Sequence, residues 1–429
     1  MAFRGFEGPA GTGKTHQLVE AVKTHLATFP LEPDQRVLAL TFMHGSRRRL
    51  DARLRSTPEL AGRTVCMTID SFARTVILRW RSLAHRINAH PGDFNQTCDA
   101  CGYLLEQPGV AQWVARSFPV IIVDEAQELS VERLRILKAL EAHASLFVAA
   151  DEFQCLDETI DTKPFLDWFQ TGQITTLSRV HRTGQQGLLN AGVALRSLRS
   201  PRNGSGLRID YYFKNVMPFQ IASAISRANG RRAVLYGPGG PGGRRWVEEL
   251  IQRLTQGMQS PKFGTIPALP LVHEDTAKAS ISELTGLFDD RDEWPHNEIL
   301  AALETIPAPP AWLPLILNTL SREHRACGRV SWGKVELIEL IERKANQHRS
   351  YGYGQARGIP VMSIHQAKNR EFDSVFLLWP PGVRGDGEQQ ARLLYNGITR
   401  AKGLCRVFVR VQHLLSAAPF SFTNPNKDQ

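Results

Sequence analysis

The stretch GPAGTGKT at residues 8–15 dictates more about its surroundings than any other in the chain. Gly8, Gly11 and Gly13 let successive backbone N–H groups turn toward one anion, Lys14 reaches terminal phosphates, and the Thr15 hydroxyl suits Mg²⁺. The following THQLVEAVKTHLATF has a helical pattern, so the phosphates sit at a helix N-terminus, where the dipole favours negative charge. Two later apolar runs end on polar residues: PVIIVDEAQEL (119–129) on the acids Asp124 and Glu125, and ASLFVAADEFQ (144–154) on Asp151 and then Gln154. Strand ends of a doubly wound sheet face the ligand crevice. Asp124 is thereby placed to complete the Mg²⁺ shell, and Glu125 to orient and deprotonate an attacking water. A phosphate loop followed by such strands describes an α/β nucleotide-binding core, with Gln154 as the expected γ-phosphate sensor. An exposed acidic turn is the bland alternative for the Asp-Glu pair, and it loses its force once the loop is present.

Composition bounds the partners. Lysine and arginine outnumber the acids 52 to 42, a net charge of +10, which points to a polyanionic partner. No run of about 18 apolar residues occurs, and the opening MAFRGFEGPAG lacks the apolar stretch of a secretory signal. The expectation is a cytoplasmic protein with no membrane contact. The six scattered cysteines read as reduced thiols. His85, His90, Cys98 and Cys101 together offer four zinc ligands, but a single C-x-x-C without a second pair weighs against that reading.

The order of motifs resembles one family, the UvrD/Rep-like branch of superfamily 1 DNA helicases. GPAGTGKT is similar to its motif I, LALTFMHGSRRRL (38–50) to motif Ia, and TIDSFA (68–73) to the DNA-contacting segment that follows. VDEAQEL resembles motif II, and ADEFQCL motif III, with Ala150 in place of a glycine. LSRVHRT (177–183) resembles motif IV, VMSIHQAKNREFDSVFLL (361–378) motif V, and LLYNGITRAKGLCRVFV (393–409) motif VI. The RNA-helicase branch shares several of these, but IHQAKNREFDSV fits the DNA branch better.

The resemblance implies an α/β fold of two RecA-like P-loop NTPase domains with parallel sheets, each interrupted by a small, mostly helical insert. It implies ATP and Mg²⁺ as cofactors: Lys14 and Thr15 on phosphates and metal, Asp124 on the metal, Glu125 as catalytic base, Gln154 on the γ-phosphate. Arg182 and Arg400 are the implied arginine fingers, an effect of about 10³ to 10⁵ in rate in related phosphoryl transfer. Glu371 would hold the ribose, and His181 would replace the tyrosine that stacks on adenine. Single-stranded DNA or a single/double-strand junction is the implied partner, met by Thr41, Phe42, His44, Phe72 and His365. Arg47, Arg48 and Arg49 add a basic cluster that reads equally as a charged helix face.

The chain also departs from the pattern. The seven residues before the loop leave no room for the family's adenine-reading glutamine motif. Cys155, Leu156 and Asp157 stand where the family places base-stacking aromatics, a loss of about 1 to 3 kcal/mol per base. In motif V, Asn369 and Arg370 replace Gly-Leu, which removes a flexible position.

The expected organisation is a first domain over 1–200 with an insert near 75–117, the turn-rich SPRNGSG (200–206), and a second domain over 201–429 with an insert near 260–355. GPGGPGG (237–243) lacks the GK[ST] ending and reads as a turn before a helix. Three functions are compatible. The first is a 3′-to-5′ single-stranded DNA translocase and helicase. The second is a DNA-stimulated ATPase with little unwinding of its own, serving a nuclease or anti-phage defence complex. The third is a non-catalytic scaffold, which has no need of six separately placed ATPase groups.

Overall fold

The computed structural model describes residues 3–422 except 43, 90–92, 108, 214, 274–275, 289, 307–308, 311 and 352–357, and the backbone alone at 44–46, 48, 276–279, 327 and 346–351. Six short strands open the fold: β1 (Arg4–Glu7), β2 (Val37–Thr41), β3 (Thr64–Thr68), β4 (Val120–Val123), β5 (Ser145–Ala150) and β6 (Gln173–Thr176). They pair in the order β3-β2-β4-β5-β1-β6, every pair parallel. Alternate residues of these apolar strands feed two cores. Leu38, Leu40, Ile121, Val123, Leu146 and Val148 enter one, and Val37, Ala39, Val120, Ile122, Phe147 and Ala149 the other. Burial on both faces is why the strands read as continuous apolar runs.

Helices cover both faces. On one side α1 (Lys14–Thr28) and α2 (His44–Arg55) supply Leu18, Val22, Leu50 and Leu54. On the other lie α3 (Ile69–Arg79), α4 (Arg81–Arg86), α5 (Phe94–Leu105), α6 (Val110–Ser117), α7 (Val131–Glu141) and α8 (Lys163–Phe169). Val76, Leu104 and Val114 from α3, α5 and α6 share a core with β2 and β4. Local chemistry starts two of these helices: the Thr68 hydroxyl accepts from Ser71 N at 3.2 Å, and Asp93 with Gln96 forms a reciprocal capping box.

After α9 (Gln186–Arg196) the chain builds a second parallel sheet. Arg232–Tyr236 pairs with Phe372–Trp379, which pairs with Ala401–Val409, which pairs with Leu207–Tyr211. The two parallel sheets with their flanking helices are two RecA-like domains. Residues 1–267 and 363–429 form one compact unit that contains these strands, and 268–362 form another. In the latter, Leu271–His273 runs parallel to Ile359–Ser363, and Trp294 pairs with Trp332 across a short antiparallel ladder beside a core of Leu284, Phe288, Ile316 and Leu340. Among the described residues no helix is long and apolar enough to cross a membrane.

Candidate nucleotide-binding site

The loop after β1 owes its shape to glycine at two positions. Gly8 lies at φ +153°, with a Cβ there only 2.3 Å from the Leu177 carbonyl oxygen; Gly11 lies at φ +81°, with a Cβ 2.6 Å from Cβ of Arg182. The loop therefore lies directly against 177–182, and His181 N donates to Gly11 O at 2.8 Å. Gly13 precedes α1 with no side-chain cap on the helix, leaving first-turn N–H groups for an anion. Lys14 is buried. Its Nζ donates to Gly8 O at 2.7 Å and Pro9 O at 3.2 Å, and lies 3.7 Å from Asp151 Oδ2.

The acids at the ends of β4 and β5 converge on this loop. Thr15 Oγ1 donates to Asp124 Oδ2 at 2.9 Å. Burial first, then the Glu125 charge, push the Asp124 carboxyl up to about 7, against the pull of Thr15 and Lys14. Glu125 sits in left-handed backbone at φ +62°, a conformation that costs a non-glycine residue about 1–3 kcal/mol and persists where surroundings hold it. They do so here: Glu125 N donates to Asp124 Oδ1 at 3.1 Å, and Gln127 Nε2 donates to Glu125 Oε2 at 2.7 Å. Gln127 Oε1 in turn accepts from Asp151 N at 2.9 Å, joining the two strand ends.

The second sheet supplies the facing wall. Arg400, almost fully buried, donates from Nη2 to Gln154 Oε1 at 2.9 Å and from Nε to Asn396 O at 3.0 Å. Gln154 Nε2 donates to Asp151 Oδ2 at 2.7 Å, so polar contacts run from Arg400 through Gln154 and Asp151 to Lys14. Burial and then the Arg182 charge draw Arg400 down to about 10, which leaves it cationic at neutral pH. Arg182 donates from Nε to Glu371 Oε1 at 2.9 Å and from Nη1 to Thr399 O at 2.8 Å. Lys402 Nζ lies 3.1 Å from Glu371 Oε2. Burial alone would raise the Glu371 carboxyl, but Arg182 and Lys402 together hold it below its ordinary value. The exposed Arg49 interacts electrostatically with Glu371, Arg182 and Glu125.

Other expected residues fare differently. His181 is exposed beside the loop, with its ring near Gly13. Phe72 does not offer a stacking face: it is buried in the core between α3 and the first sheet, because TIDSFA begins a helix whose apolar stripe faces inward. Thr41 is also buried, its hydroxyl without a hydrogen-bond partner among the described residues, so it offers no exposed donor to DNA. Phe42 is half-buried against the same core, and His365 is exposed. The side chains of His44 and Arg48 lie outside the described residues, as does His90. Cys98 and Cys101 are buried on α5, with Cys98 Sγ 3.3 Å from Asp70 Oδ1. Burial pushes the Cys98 thiol up to about 12 and Cys101 well above its ordinary value. Among the described residues no cluster of three or more His, Cys, Asp or Glu is arranged to hold a metal. Asn369 lies at φ +61°, a conformation asparagine tolerates, so the replaced glycine leaves the turn intact.

Sequence reasoning missed several participants. Gln127 stands in the acidic motif itself and was legible there as a polar residue after two acids. Tyr395, Arg196 and the pair Lys368–Glu128 carried no local signal. The Tyr395 hydroxyl accepts from Ala10 N in the loop at 2.7 Å, and Lys368 pairs with the half-buried Glu128.

Comparison with known proteins bears on both walls. A family model described as an AAA domain matches residues 5–159, and one described as the UvrD-like helicase C-terminal domain matches residues 358–408. No curated protein matches the chain. Among solved structures, the Arterivirus nonstructural protein 10 helicase is similar with 10% identity and a TM-score of 0.41, over 97% of this chain and 62% of that one. Its complex with DNA is similar with 10% identity and a TM-score of 0.37, over 95% and 61%. The chain thus spans about three fifths of the length of these structures.

Proposed function

We propose that this chain, which belongs to the UvrD-like superfamily 1 helicases, is an ATP-driven motor on single-stranded DNA that moves 3′ to 5′. The observation that carries the reading is the continuous set of contacts from Arg400 through Gln154 and Asp151 to Lys14. It joins an arginine beside one parallel sheet to the phosphate loop of the other, as a triphosphate clasped between two domains requires.

In this reading the first-turn amides of α1 and Lys14 bind phosphates. The Thr15 hydroxyl and Asp124 carboxylate are hard oxygen donors that fit Mg²⁺, and a carboxyl whose burial disfavours its charge is one that a cation would satisfy. The metal, when bound, neutralises phosphate charge. Glu125, held by Gln127, orients and deprotonates the attacking water. Gln154, Arg182 and Arg400 meet the γ-phosphate, where charge develops in the transition state. Glu371 takes the ribose and His181 stacks on the base. Phe42, His44 and His365 remain the candidate contacts to DNA. Lys14→Ala and Glu125→Gln should each abolish ATP turnover, and single-stranded DNA should stimulate the wild type more than duplex DNA or RNA. Unchanged turnover in both variants would refute the site.

A second reading is favoured by the residues after Gln154. Cys155 is buried, and Asp157 bonds Thr159, so no aromatic platform follows the γ-phosphate sensor. A DNA-stimulated ATPase that unwinds little and serves a nuclease or anti-phage defence complex fits this. Robust strand separation by the isolated protein in a gel assay would eliminate it.

A further inference from the structure

Arg196, the last residue of α9, belongs to none of the motifs above. Its Nη1 donates to Asp151 Oδ1 at 2.5 Å, and its guanidinium lies 5.3 and 5.6 Å from the ring centroids of Phe153 and Tyr395. It also interacts electrostatically with Tyr395. These two partners lead in different directions. The Tyr395 hydroxyl accepts the Ala10 N–H of the phosphate loop. The Asp151 carboxylate, with no exposed side-chain surface, accepts from Gln154, and Gln154 holds Arg400.

A carboxylate this deeply buried needs a cation beside it. Two are present, Arg196 and, at 3.7 Å, Lys14. In the ATPase reading, on which this inference rests, Lys14 turns to the phosphates when nucleotide binds. We propose that Arg196 is a positioning residue for nucleotide binding and hydrolysis: it remains the charge partner of Asp151 when Lys14 leaves, so that Gln154 and Arg400 keep their places while the lysine moves. Arg196 touches no phosphate. It acts through Asp151 on one side and through Tyr395 and the loop on the other.

The test uses the full chain with Arg196→Gln, Arg196→Lys, Tyr395→Phe and the double variant Arg196→Gln/Asp151→Asn. Affinity is read with a fluorescent non-hydrolysable ATP analogue, and turnover separately. In Arg196→Gln, Lys14 must abandon an otherwise unpaired buried carboxylate, so affinity should fall about tenfold and turnover at least tenfold. The double variant should recover the affinity, since no charge is left to strip; a merely structural role for Arg196 would make the double variant worse than either single one. Arg196→Lys should bind the analogue normally yet turn over several-fold more slowly, because an ammonium lacks the fork to hold Asp151 and Tyr395 together. Tyr395→Phe, which keeps the ring against Phe153, should behave likewise and serves if Arg196→Gln does not fold. Analogue affinity within twofold of wild type in Arg196→Gln, or no recovery in the double variant, would overturn the proposal; so would wild-type turnover in both Arg196→Lys and Tyr395→Phe. A wild type that neither binds the analogue nor hydrolyses ATP would bring down the ATPase reading with it, whereas an active wild type beside an indifferent Arg196→Gln overturns this inference alone.

Discussion

Asp124→Asn should make the nucleotide-free protein more stable while abolishing ATP turnover. The Asp124 carboxyl is pushed from 3.8 to about 7, chiefly by burial. Between those values the folded chain holds a proton that the unfolded chain has released, so stability falls as pH rises through that window and levels off above it. Converted at the free energy of a tenfold change in proton binding, that displacement sets a ceiling of about 4 kcal/mol above pH 7 and only a minor part of it at pH 5. Asparagine keeps an oxygen for the Thr15 hydroxyl without the buried charge. The variant should therefore gain up to about 4 kcal/mol over wild type at pH 8 and much less at pH 5. Chemical denaturation without nucleotide or Mg²⁺ at the two pH values measures this, and ATP turnover at pH 8 supplies the functional half. A variant that is destabilised, or whose gain does not depend on pH, would refute the assignment of burial as the dominant influence on Asp124.

Three more outcomes follow from the geometry. Gly11→Ala places a Cβ 2.6 Å from Cβ of Arg182 in left-handed backbone; it should cost at least about 1 kcal/mol and weaken ATP binding, measured by denaturation and nucleotide titration. Phe72→Ala, opening a hole in the first core, should destabilise by about 3–5 kcal/mol and leave single-stranded DNA affinity unchanged in a filter or anisotropy assay. Arg400→Ala should lower kcat by about 10³-fold and change affinity for a non-hydrolysable ATP analogue far less; equal losses in both would remove it from the transition state.

The parts of this site legible in the amino-acid order are those whose chemistry is carried by near neighbours in the chain. GPAGTGKT is a loop because glycines at 8, 11 and 13 permit backbone that a side chain would resist, and α1 follows it from local pattern. The doubly covered strands β4 and β5 were readable because both alternating sets of residues are apolar right up to the acids. Phe72 and Thr41 could not be placed so simply: motif position puts both among DNA contacts, but which side of a helix or strand meets a core depends on what packs there.

What the linear order determined, then, was the loop, the acids, the parallel α/β class and the identity of the candidate site residues. What tertiary structure alone decided was their pairing. Ala10 and Tyr395 are 385 positions apart, Gln154 and Arg400 are 246, and Arg182 and Glu371 are 189. No periodicity spans such separations; these contacts exist because two separately built sheets bring their polar edges together, where each buried charge or hydroxyl must find a partner or lose its solvation uncompensated.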